Sequence, residues 1–376
     1  MLQTIAVSGY RSLRDVVVPL DGLTVVTGAN GTGKSNLYRA LRLLAGAATG
    51  GMVEAVAREG GLSSLLWAGP EDGGGEGTLR RDPVAVRLGF ASDELGYLVD
   101  LGLPQIGSAS LFSRDPEIKR EQVFAGTVAK PSTLLIDRRG PATRVREGSW
   151  TTLRQSLAPF ESILLDLADG DTGPELLTLR RTLASWRFYD HFRVDADAPA
   201  RSPQVGTRTR ALAHGGQNIA ALWASVREAG AGDVLDAEID RAFPGMRVQI
   251  DAEDGRLRLR LRQPGLLRAL DVAELSDGIL RYLLLCAALL PAAPGPLIVL
   301  NEPEASLHES LLAPLAQLIV SASRGTQVIV VTHAAELARR LADAGALAHR
   351  LARSSDGTIV EGQGFLDVPP WNWGSR

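Results

Sequence analysis

The sequence predicts an α/β fold: a mixed sheet flanked by helices, with an α+β lobe inserted into it. Three short apolar runs, at residues 23–27 (LTVVT), 297–300 (LIVL) and 327–332 (QVIVVT), have the length and composition of buried strands. Each leads through a turn into a run with helical apolar spacing. This alternation occupies both ends of the 376-residue chain and is missing from its middle.

Residues 4–8 and 16–20 are β-rich, and Asp21-Gly22 is a turn signal. The strand at 23–27 runs into the glycine-rich turn GANGTGKS (28–35), and residues 36–44 continue as a helix. Residues 47–77 are rich in glycine and small side chains, which predicts loop around a short helix at 61–67. Residues 84–90, 95–101 and 133–137 predict an antiparallel set of strands. Residues 152–187, 218–229 and 233–243 read as helical. MRVQID and RLRLRLR flank AEDG as a hairpin. A helix at 273–290, entered through Ser276-Asp277-Gly278, precedes the strand at 297–300. A helix at 309–323, the strand at 327–332, a helix at 334–342 and a last hairpin close the chain. No internal repeat is visible. The expected division is a core of residues 1–46 and 270–376, with 47–269 as an inserted β and helical lobe.

Composition narrows the function. With 45% hydrophobic and 22% charged residues, the chain is neither disordered nor collagen-like. A net charge of −3, from 40 basic and 43 acidic residues, excludes a globally basic polyanion binder, so any nucleic-acid contact needs a local patch. The one cysteine, Cys286, excludes a disulfide framework and a zinc site of paired cysteines. The first residues lack the pattern of a signal peptide. The most apolar stretch, 279–300, is broken by Arg281, Pro291, Pro294 and Pro296, short of the roughly 20 uninterrupted apolar residues of a membrane span. A cytoplasmic protein without membrane contact is expected.

Gly28-x-x-x-x-Gly33-Lys34-Ser35 is the strongest chemical signal. Its glycines permit backbone conformations closed to other residues and let N–H groups curl around phosphate oxygens. The helix that follows adds its dipole and free N–H groups. Lys34 would neutralise the β/γ-phosphates and Ser35 offer a hydroxyl to Mg²⁺. A plain glycine turn does not explain why one of only three lysines falls here, between an apolar strand and a helix. Further on, the strand at 297–300 ends in Asn301-Glu302-Pro303. Glu302 is placed to polarise an attacking water as general base, while Asn301 stands where an aspartate usually holds Mg²⁺ and offers a neutral carbonyl oxygen. Ser276-x-Gly278 opens an apolar helix. It reads as an ordinary helix start or as a hydroxyl and N–H set for a γ-phosphate. His333, directly after the third buried strand, could sense that phosphate.

In this order, GANGTGKS (28–35), ELSDGILRYLLL (274–285), LIVLNEPEASLH (297–308) and VIVVTH (328–333) resemble the ABC-type ATPase heads of the RecF, SMC and OLD-like group. They are most similar to compact bacterial AAA family ATPases with LSDG and LNEPE motifs. The opening strands, IAVSGYRSLRDVVVPLDGLTVVTG, share the likeness. The resemblance implies a P-loop NTPase with ATP and Mg²⁺ as cofactors, working as a head-to-head homodimer with two ATPs sandwiched between heads. The loop residues Asn30, Gly31, Thr32, Gly33, Lys34, Ser35 and Asn36 would hold nucleotide, with Asn30 at the γ-phosphate or water and Ser35 and Asn301 at the metal. Ser276 and Gly278 would come from the other subunit. Lys34, Glu302 and His333 would be the catalytic set, with Glu302 the base and His333 the switch. Ser306 and His308 would cross the dimer interface, and Arg11 and Ser12 could approach the nucleotide. Gln155 and Glu161 are both candidates for the Q-loop residue.

The chain also departs from its relatives. Ser276 follows Ser35 by 241 residues, no heptad pattern predicts coiled-coil arms, no Cys-x-x-Cys supplies a zinc hook, and 43 residues after His333 are too few for a nuclease domain. A bare head with an insertion is expected. Arg256, Arg258, Arg260 and Arg262 alternate with leucines on one strand face, either as a solvated face or as a ladder of phosphate contacts. The basic stretch 201–210 reads as a disordered or partner-ordered loop. Two functions stay open: a homodimeric ATPase in DNA repair or anti-phage defence, or a nucleotide-gated regulator with little hydrolysis that controls a partner effector. A small-molecule kinase would leave the Ser276 and His333 motifs without purpose, and no Asn-Lys-x-Asp motif favours GTP.

Overall fold

The computed structural model describes residues 1–67, 69, 85–104, 115–168, 173–364 and 366–374. The chain forms two compact units. The first holds Met1–Asp21, Thr27–Trp186 and His349–Arg376, and the second Gly22–Val26 and Arg187–Ala348. Residues 47–186 therefore belong to the first unit and residues 187–269 to the second.

In the first unit, β1 (Leu2–Tyr10) and β2 (Leu13–Pro19) form a hairpin, and β3 (Leu23–Gly28) ends here with Thr27 and Gly28. Helices α1 (Lys34–Ala47), α2 (Met52–Arg58) and α3 (Leu62–Leu65) follow. Next come β4 (Ala85–Ser92), β5 (Leu95–Gly102), β6 (Glu117–Ala125), β7 (Leu134–Arg139), β8 (Ala142–Glu147) and β9 (Ser149–Arg154), then α4 (Ile163–Asp166) and α5 (Pro174–Ala184). Their eight-stranded sheet runs β2-β1-β4-β5-β6-β7-β8-β9, antiparallel throughout. The expected antiparallel set is thus present, although residue 84 and residues 68 and 70–77 of the glycine-rich stretch lie outside the described residues.

Residues 149–154 pair with β8 as a strand, where helix was expected from 152. Trp150, Thr151 and Thr152 are aromatic and β-branched residues that fit a pleated surface better than a helix. Below the sheet, buried Glu121 is fully used. Its carboxylate accepts from Tyr97 Oη and Ser162 Oγ (2.5 Å each), from Ile163 N (3.0 Å) and from Arg138 Nη1 (2.7 Å). The apolar face of α1, with Leu37, Tyr38, Leu41 and Leu44, is buried and packs beside β1 and α5. That packing fixes the direction from which the helix meets its preceding loop.

The second unit begins with β10 (Arg187–Tyr189), β11 (Gln204–Val205), α6 (Ile219–Glu228) and α7 (Gly232–Ala242), then β12 (Arg247–Glu253), β13 (Arg256–Arg262) and β14 (Leu270–Asp271). The expected β12–β13 hairpin pairs Arg247 with Arg262 through to Glu253 with Arg256. Next come α8 (Asp277–Leu289), β15 (Leu297–Asn301), α9 (Leu312–Ser323), β16 (Gln327–Val331) and α10 (Ala335–Asp343). β10, β15, β16 and residues 23–26 of β3 lie side by side in parallel. Being covered on both faces, β15 and β16 need no polar alternation, and residues 297–300 are all buried. One hydrophobic core joins these strands to α6, α7, α8, α9 and α10 through Trp223, Tyr282, Leu284, Leu300, Leu315 and Leu337. The chain then returns to the first unit in β17 (Leu347–Ser354) and β18 (Gly357–Val360), an antiparallel hairpin. Among the described residues, no helix is long and apolar enough to cross a membrane.

Candidate nucleotide site

The glycine-rich loop has the backbone its sequence requires. Gly28, Gly31 and Gly33 have φ of 149°, 80° and 100°. At Gly33, the residue before α1, a Cβ would stand 2.5 Å from Thr358 Oγ1 and 2.7 Å from Ser12 Oγ. Those hydroxyls belong to a network that braces the loop. Thr358 Oγ1 donates to Thr32 O and accepts from Ser12 Oγ (2.9 Å each), and Asn36 Nδ2 donates to Ser12 Oγ (3.0 Å). Thr32 Oγ1 closes the turn on Ala29 O at 2.8 Å. Lys34, only 6% exposed, donates from Nζ to Gly28 O (2.7 Å) and Ala29 O (2.9 Å). An ammonium has three N–H donors, so one remains for an incoming oxygen. In the first turn of α1, Asn36 N and Leu37 N donate to Gly33 O (3.0 Å each), while the N–H groups of Lys34 and Ser35 have no partner inside the helix, and Asn30 and Gly31 are exposed at the loop's tip. Arg11, at φ 51°, is turned to Glu59 instead, with Nη2 at 2.6 Å from Oε2.

In the second unit, β15 ends at Asn301 and Glu302 breaks the strand at φ 51°. A non-glycine residue in this region costs about 1–3 kcal/mol and needs its surroundings to hold it. Here Glu302 N donates to Val331 O (2.7 Å), and Glu302 O accepts from Arg281 Nη2 (3.1 Å). Its carboxylate stays 41% exposed, while His333 Nδ1 lies 3.9 Å from Oε1. Asn301 Oδ1 is buried and has no donor among the described residues, which suits an oxygen meant for a cation or its water shell.

Ser276 is exposed at the start of α8 and its hydroxyl caps nothing within the helix. Gly278 lies close to the loop after β15, where its Cβ would come 3.6 Å from Ser306 O. Ser306, at φ 62°, is exposed, and His308 Nδ1 accepts from Ser310 N (3.2 Å). Of the two Q-loop candidates, Gln155 is exposed and the Glu161 carbonyl accepts from Arg138.

Three residues that the sequence reading left unassigned organise this half. Arg281 is 1% exposed on α8, and its Nε and Nη1 have no hydrogen-bond partner among the described residues. Burial pulls its guanidinium below the ordinary arginine range, against the pull of Glu304 and Glu302. Glu304, 6% exposed, gathers Thr332 Oγ1, His333 N and Ala334 N on Oε1. Arg201 is buried rather than part of a disordered loop. Its guanidinium donates to the carbonyls of Val194, Val272 and Leu275 and to Asp277 Oδ1 (2.7 Å), pinning the turn before α8. Arg258 and Arg260 of the arginine strand face Asp271 (3.3 Å) and Asp251 (2.7 Å).

A family model described as "AAA domain, putative AbiEii toxin, Type IV TA system" matches residues 23–339, and the chain belongs to this family. Among solved structures, it is similar to an SMC head bound to the C-terminal winged-helix domain of ScpA. Identity is 16% over 96% of both chains, with a TM-score of 0.51. It is also similar to the SMC head domain from Thermotoga maritima, at 16% identity over 96% of this chain and 97% of that one, with a TM-score of 0.48. No curated protein matches the sequence. The fold is that of an ABC/SMC-like P-loop ATPase head.

Proposed function

We propose that the chain binds ATP with Mg²⁺ and hydrolyses it as a homodimer. The observation that carries this is the loop before α1: three glycines at positive φ, a buried Lys34 aimed into the loop, and the open N-terminus of a helix. Lys34 and the loop N–H groups would hold the β- and γ-phosphates. Ser35 and Asn301 would hold Mg²⁺, which when bound neutralises charge on the phosphate oxygens. In this reading Glu302 takes a proton from water as the water oxygen bonds to the γ-phosphorus. The bond to the bridging oxygen breaks, and ADP leaves with its electron pair. Each chain has one such loop and one Ser276-x-Gly278, so a second copy would complete each nucleotide's contacts.

A nucleotide-gated regulator of a partner effector is the second reading, favoured by the neutral Asn301. Turnover of about 1 s⁻¹ or faster would exclude it. We place the biological role in DNA repair or phage defence, the latter on the toxin–antitoxin wording of the family's description. Nucleic acid could meet Arg256, Arg258, Arg260 and Arg262, although Arg258 and Arg260 already have carboxylate partners. Calorimetric titration of ATP–Mg²⁺ into wild type and Lys34→Ala tests the cradle. Loss of binding in the variant is expected, and equal affinity would refute it.

A further inference from the structure

Glu304 is a buried acidic residue that the reaction just proposed does not use. It lies in the turn after β15, two residues beyond Glu302, and is 6% exposed. One oxygen, Oε1, accepts from Thr332 Oγ1 (2.5 Å), His333 N (3.1 Å) and Ala334 N (3.1 Å). The same oxygen stands 3.3 Å from His333 Nδ1. The other, Oε2, is buried with no hydrogen-bond partner among the described residues.

The pattern differs from ordinary helix capping. A capping side chain accepts from the N–H groups of the second or third helical residue, here Glu336 or Leu337 of α10. Glu304 instead takes the N–H groups of His333 and Ala334, which precede the helix. The carboxylate therefore holds the strand-to-helix turn that carries His333. It also competes for the ring. Nδ1 is 3.3 Å from Glu304 Oε1 and 3.9 Å from Glu302 Oε1, within ion-pair range of both and nearer the buried carboxylate. A nitrogen lone pair facing a carboxylate at that distance would be repelled, which places the ring hydrogen on Nδ1 and turns Nε2 outward.

We propose that Glu304 is the positioning residue for His333: it fixes the turn, the ring direction and the tautomer. The catalytic part of this inference rests on the ATPase reading above, whereas the tautomer does not.

The test uses the full chain with Glu304→Gln, which keeps an oxygen for the turn N–H groups but loses the charge. His333→Ala and the double variant accompany it. Glu304→Gln should bind ATP within about twofold of wild type while kcat falls about 10–100-fold, the usual effect of losing the partner that orients a functional histidine. The double variant should be no slower than His333→Ala alone, because both changes act through one ring. An unchanged kcat in Glu304→Gln, or additive losses in the double variant, would overturn the proposal. Nitrogen-resolved NMR of the wild-type histidines, with the His333 signal assigned by its loss in His333→Ala, reads the ring without turnover. The Nδ1–H form is expected, and the Nε2–H form would overturn the proposal. If wild type neither binds nor hydrolyses ATP, the ATPase reading falls, while the NMR measurement still decides the role of Glu304.

Discussion

Arg281 Nη2 donates to the backbone carbonyl of Glu302 across 3.1 Å, joining α8, which follows Ser276, to the residue proposed as the base. Glu302 sits at φ 51°, so its backbone is held against its own preference by this bond and by Glu302 N on Val331 O. Arg281→Met would leave the Glu302 carbonyl without its donor and remove a guanidinium whose charge interacts with Glu304 and Glu302. A loss of about 1–3 kcal/mol in denaturant unfolding is expected. Turnover should drop further than nucleotide affinity, which steady-state kinetics beside a binding titration will show. Equal falls in both would mean that Arg281 supports the unit as a whole and not Glu302.

Arg201 makes a second prediction. Its guanidinium spans the carbonyls of Val272 and Leu275 and the carboxylate of Asp277, a fan that an ammonium cannot reproduce. Arg201→Lys should cost about 1–3 kcal/mol for each buried carbonyl left without a donor. Hydrogen exchange should quicken at residues 272–280 before it quickens elsewhere in the second unit. Unchanged protection there would show that the turn holds itself.

Gly33→Ala tests the loop. The alanine would adopt φ near 100° and push its Cβ to within 2.5 Å of Thr358 Oγ1, so the hydroxyl network must open or the loop must shift. The strain is about 1–3 kcal/mol, and if it falls on the nucleotide-bound loop the affinity drops by roughly tenfold or more. Thermal denaturation and ATP titration measure the two effects. Native affinity with native stability would contradict the bracing described here.

How much of this could be read from the sequence follows from how local each feature is. The strand–loop–helix order from Leu23 to Ala47 was legible because its signals are neighbours: apolar run, spaced glycines, then helical spacing. β15 and β16 were legible for the same reason. The strand at 149–154 was not, since its pattern gains meaning only from pairing with β8. Thr358 braces a loop more than three hundred residues earlier, and nothing near it in the sequence announces that role. Arg201 looked like one of several arginines in a polar stretch, and only its burial beside the turn at 272–277 separates it from them. Glu304 did have a signal, the second glutamate in Asn301-Glu302-Pro303-Glu304, but its partners lie on the next strand's end. The left-handed backbone of Glu302 has no sequence signature, because proline after it restricts the αR region without selecting this one.

In the proposed function, ATP is held until Glu302 cleaves it, with two copies of the chain closed around the nucleotide. Light scattering of Glu302→Gln in Mg²⁺ with ATP or ADP measures this directly. With ATP, twice the chain's mass is expected, and with ADP the mass of one chain. A single-chain mass in both nucleotides, at concentrations where ATP is bound, would contradict it.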